Sequence, residues 1–113
     1  MSLADNKCVP CRGGVPSLSE DQAKTLLSEL DTTWTLTNDA THIQRSYTFD
    51  NFIRAMEFAN RLTAIAEEEG HHPDLHISWG QCTVDLWTHK INGLTESDFF
   101  MAAKSDSVFA SME

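Results

Sequence analysis

The chain has 113 residues, 41% of them hydrophobic and 22% charged, which suits one domain and is too apolar for disorder. Seventeen acidic residues against eight basic ones leave a net charge of −9, which disfavours nucleic-acid backbone and anionic membrane surfaces as partners. No stretch reaches the roughly 18 apolar residues of a membrane span, the first residues lack a secretory-signal pattern, and three cysteines are a poor disulfide framework. A cytoplasmic location is the simplest expectation.

Residues 1–16, with two prolines, a Gly pair and no periodicity, read as an N-terminal arm, and residues 17–113 as a single domain. Ser19-Glu20-Asp21-Gln22 is a capping-box sequence, and Ala23, Leu26, Leu27 and Leu30 follow at helical spacing, predicting a helix over 19–31. Strands are predicted at Trp34–Leu36 and Ile43–Phe49, where Ile43, Tyr47 and Phe49 alternate with Gln44, Ser46 and Thr48. Asn38-Asp39-Ala40 joins them as a hairpin turn. Phe52, Met56, Ala59, Leu62 and Ala66 form a stripe for a second helix over 51–69, capped by Asp50 or Asn51 and ended by Gly70 and Pro73. Leu75, Ile77 and Trp79 give a third strand, and Val84 to His89 a fourth. Thr95-Glu96-Ser97-Asp98 is a second capping box, with Leu94 and Phe99 as a hydrophobic staple, and starts the last helix. The order α-β-β-α-β-β-α calls for an α+β fold: a four-stranded antiparallel sheet with helices packed on one face.

Five histidines are the unusual item, four of them between residues 71 and 89. Glu67-Glu68-Glu69 loads a helix C-terminus with acids, against the macrodipole. Glu68 and Glu69 read as a solvated face, whereas Glu67 lies one turn before His71 and is placed to accept from its imidazole. Pro73 biases His72 to an extended conformation, so His71 and His72 are expected to point differently. In a tight antiparallel hairpin the start of one strand lies beside the end of the next. That brings His89, expected at the end of the fourth strand, to His71 and His72. Three imidazoles suit acid–base chemistry near neutral pH. A zinc site is the weaker reading, because adjacent histidines are awkward ligands for one ion, and Cys8 and Cys11 form only half a metal or redox site. No metal or cofactor is expected. His76 reads as a surface strand residue, and His42 as structural and without a partner. Asp98 reads as the acid of its capping box.

The spacing of Glu67, His71-His72-Pro73, Trp79, His89 and Asp98 resembles the signature of the pterin-4a-carbinolamine dehydratases, and all seven fixed positions agree across residues 67–98. The resemblance extends to the element order over about residues 17–112, with the N-terminal arm nearest to bacterial and plant-type members. Gly70 and Ser97 depart from the animal pattern, which has an acid and a basic residue there. The resemblance implies dehydration of 4a-hydroxytetrahydropterin, the spent cofactor of aromatic amino-acid hydroxylases, to quinonoid dihydropterin. It implies His71, His72 and His89 as the catalytic set, and Glu67, Trp79, Thr88 and Asp98 as substrate-binding residues, with Asp98 supporting the His89 side. Which histidine is acid and which is base stays open. It also implies a homodimer joined edge to edge through the sheet, or a homotetramer packing helices together. Two alternatives accompany the enzyme reading: a dimerisation cofactor of a transcription factor, as animal members are, or a pterin-binding protein without dehydratase activity.

Overall fold

Alternation along the strands decides which side of the sheet the helices cover. The computed structural model describes residues 17–30 and 33–112; the predicted arm with Cys8 and Cys11 lies outside them. The chain order is α1 (Glu20–Leu27), β1 (Thr35–Thr37), β2 (His42–Thr48), α2 (Phe52–Glu69), β3 (Asp74–Ser78), β4 (Gln81–Leu86), a 3-10 turn (His89–Ile91) and α3 (Glu96–Ser111). This is the expected α-β-β-α-β-β-α arrangement. All strand pairs are antiparallel, in the order β1-β2-β4-β3.

Ile43 and Tyr47 of β2, and Cys82, Val84 and Leu86 of β4, are buried. They share one core with Phe58, Leu62 and Ala66 of α2 and with Phe99, Met101, Ala102 and Val108 of α3. The other face carries Gln44, Ser46, His76, Thr83 and Asp85, all partly or fully exposed. This alternation is the signature of a sheet packed on one side only. His76 is therefore the surface residue its strand pattern predicts.

The caps form as the sequence predicts. Gln22 N–H donates to Ser19 Oγ at 3.1 Å, and Ser19 N–H to Gln22 Oε1 at 2.9 Å. Of the two candidates for α2, Asn51 caps, its side chain accepting from Arg54 N–H at 2.9 Å. Helix α1 stops at Leu27 rather than 31; Leu30 still packs against the core from the turn that follows. The hairpin turn at Asn38, Asp39 and Ala40 holds three successive residues at positive φ.

One carboxylate ties α3 to the sheet. Asp106 accepts from Arg45 Nη1 at 2.7 Å, Tyr47 Oη at 2.5 Å and Trp34 Nε1 at 3.0 Å. The Arg45 guanidinium lies 4.3 Å from the centroid of the Tyr47 ring, so charge pairing and cation–π attraction act on the same side chain. This fixes the C-terminal half of α3, while its N-terminus is fixed at the site.

Candidate active site

Helix α2 ends at Gly70, which takes the left-handed conformation at φ 66°. A side chain would be strained there, and glycine is not. The His71 N–H then returns to Ala66 O at 3.2 Å. This sharp exit turns His71 inward, where it is only 3% exposed, and leaves His72 58% exposed. The expected divergence of the two imidazoles is present.

Their carboxylate partners differ from those expected. His72 Nε2, not His71, meets Glu67, at 2.5 Å from Oε2. The residue directly after the left-handed cap, His71, turns inward, and the next one, His72, stays outside within reach of the Glu67 side chain. His71 Nε2 instead meets Asp98 Oδ1 at 2.6 Å, with both side chains buried. Asp98 reaches the His89 side through Thr88, the residue that precedes His89. Its Oδ2 accepts from Thr88 Oγ1 at 2.9 Å and from Thr95 N–H at 2.9 Å. The capping-box acid is thus also the anchor of a buried imidazole. An ionised carboxylate has no hydrogen to give, so this pair selects the Nε2–H form of His71.

His89 does not end β4. The strand closes at Leu86, and His89 opens the 3-10 turn because Thr88 leaves the ladder to bridge Gly93. The consequence for position is small: His89 still lines one cleft with His71, His72, Glu69, Gly70, Trp87 and Lys90, about 400 Å³ in volume. Its Nε2 lies 3.8 Å from Asp74 Oδ1, outside hydrogen-bond reach but near enough for charge attraction.

The other four sequence-predicted residues are placed differently. Glu67 and Asp98 stand behind His72 and His71 as their partners, and Thr88 is buried against Asp98. Trp79 lies beyond β3 at the β3–β4 turn, 69% exposed and away from the cleft. Two participants were not anticipated. Trp87 and Lys90, which line the cleft, carry no site role in the sequence reading. His42 is not without a partner: its Nδ1 lies 3.1 Å from Asp85 Oδ1 and its ring stacks on Trp87. Among the described residues, no group of three or more His, Cys, Asp or Glu side chains is arranged to hold a metal ion. None of their helices is long and apolar enough to cross a membrane.

Residues 16–108 match the family model described as pterin 4 alpha carbinolamine dehydratase. The chain belongs to that family. A Rickettsia bellii protein carrying the pterin-4-alpha-carbinolamine dehydratase name is 55% identical over 105 residues, covering 93% of this chain and 92% of its own. A Methylococcus capsulatus protein of the same name is 47% identical over 109 residues, covering 96% of this chain and 95% of its own. Among solved structures, a transcriptional coactivator/pterin dehydratase from Brucella melitensis superposes with a TM-score of 0.77 at 32% identity, covering 82% of this chain and 98% of that one. The dehydratase family thus spans nearly the whole chain, cleft included.

Proposed function

We propose that this chain, as a hydro-lyase of the pterin dehydratase family, converts 4a-hydroxytetrahydropterin to quinonoid dihydropterin through His71, His72 and His89. The observation that carries the reading is that all three imidazoles line one cleft. The reaction protonates the departing 4a-hydroxyl, breaks the C4a–O bond with loss of water, and removes the N5 proton as the C4a–N5 double bond forms. Imidazoles can give and take those protons near neutral pH. Asp98 holds His71 in one tautomer and Glu67 orients His72; both act through the histidines. The volume of the cleft lies in the range of small-molecule sites. The reading includes a cytoplasmic location and self-association into a homodimer or homotetramer, which light scattering measures.

The test is a direct dehydration assay on freshly made 4a-hydroxytetrahydropterin. His71→Ala and His89→Ala are each expected to lose about a hundredfold or more in rate, with the far-UV circular dichroism of the fold retained. Wild-type-like rates in the double variant would sink the acid–base assignment. The Brucella melitensis neighbour, described as a transcriptional coactivator as well as a pterin dehydratase, favours a second reading, a protein-binding role. Recovery of a DNA-binding partner by a wild-type chain with no dehydratase activity would select it.

A further inference from the structure

The outer face of the sheet is polar except at one end. There Trp87, half-buried, lines the cleft beside His72 and His89. Two imidazoles touch its indole. His42 stacks on it nearly flat, with centroids 4.0 Å apart and planes 9° apart, and His89 meets it at 4.3 Å and 55°. The pairing of Ile43 with Leu86 sets residue 42 opposite residue 87, so the stack is built on the strand register. Asp85 holds the far imidazole through Nδ1, and both side chains of that pair are mostly buried. The core lies on the opposite face of the sheet and does not need this indole for packing. Its flat surface is matched to a flat heteroaromatic ligand.

We propose that Trp87 is the stacking surface for the substrate's pterin ring, and that His42 is a positioning residue that fixes the plane of the indole. The inference rests on the pterin reading given above. Truncating His42 frees the indole to rotate and weakens ring binding, while His71 and His72 keep the carboxylate partners that orient them, Asp98 and Glu67. The loss therefore falls on KM rather than on kcat.

The experiment compares His42→Ala, His42→Phe, Trp87→Ala and the His42→Ala/Trp87→Ala double variant. Each is measured in the dehydration assay and by equilibrium dialysis of 7,8-dihydropterin, a stable reduced pterin. His42→Ala is expected to raise KM and the dihydropterin Kd about three- to tenfold, the scale of one aromatic stack, with kcat nearly unchanged. His42→Phe keeps a flat ring against the indole and is expected to restore both constants. The double variant should be no worse than Trp87→Ala, because both changes remove one unit. Additive losses, or a His42→Phe variant no better than His42→Ala, would overturn the proposal. Dihydropterin binding that weakens in His42→Ala, beside a wild type without dehydration, sinks the catalytic reading and supports this one. Wild-type dehydration with KM and Kd unmoved in both single variants sinks this inference and leaves the catalytic reading intact.

Discussion

Replacing Asp98 with Asn keeps the shape of the side chain and removes its charge. One of the bonds it accepts comes from a donor that cannot become an acceptor, Thr95 N–H on Oδ2, where the Thr88 hydroxyl also donates. The asparagine carbonyl must occupy that position, so its NH2 faces His71 Nε2, the nitrogen now 2.6 Å from Oδ1. A donor there forces Nε2 to accept, and the ring changes to the Nδ1–H tautomer. One charge-assisted bond in a buried pair is replaced by a neutral one, a loss of about 2 kcal/mol. For a domain of this size that lowers Tm by roughly 10 °C. Activity should fall further than stability, by about a hundredfold or more, because the imidazole enters the reaction in the wrong protonation pattern. Thermal denaturation, the dehydration assay and 15N shifts of the His71 ring measure the three consequences together. An Asp98→Asn protein within about threefold of the wild-type rate, with Nε2 still protonated, would refute the reasoning.

Asp106→Ala strips three donors of their shared acceptor and leaves the Arg45 guanidinium partly buried, so a loss of about 3 kcal/mol is expected from the shift of the urea midpoint. Gly70→Ala meets no atom within 4 Å of the added Cβ, so its cost is the left-handed backbone alone, about 1 kcal/mol by the same measurement. Burial pushes the Cys82 thiol up from its ordinary 9.0 to about 11. Peptide mapping after thiol labelling of the native chain at pH 7 should find Cys82 unmodified. Above pH 9 the unfolded chain releases this proton before the folded one does, so this contribution to stability falls between pH 9 and about 11, as denaturant titrations over that range will register.

The fold was legible where local chemistry decides it. Ser19 and Gln22 make their reciprocal bonds, Gly70 ends α2 in the left-handed conformation, and the alternation in β2 and β4 divides core from solvent. The site was legible as a neighbourhood, because hairpin geometry is enough to bring His89 to His71 and His72. Its pairings were not. Asp98 is 27 residues from His71, and only the docking of the α3 N-terminus near the end of α2 brings them together. Spacing along the chain contains no such distance. Glu67 meets His72 rather than the expected His71 because the left-handed turn at Gly70 sends His71 inward to Asp98. His42 and Trp87 were separable from other surface residues only by register: β2 antiparallel to β4, with 43 opposite 86, sets 42 against 87. Predicting the two hairpins separately leaves the β2–β4 pairing unknown.

The left-handed turn at Gly70 makes two adjacent histidines chemically unlike. His71–Asp98 is shut away from mobile ions, whereas His72–Glu67 stands in the solvent with side chains 58% and 70% exposed. Raising ionic strength from about 0.15 M to 1 M shortens the screening length from roughly 8 Å to 3 Å. Salt therefore loosens the outer pair and leaves the inner one untouched. A single glycine has divided one dipeptide into an imidazole that senses the composition of the medium and another insulated from it.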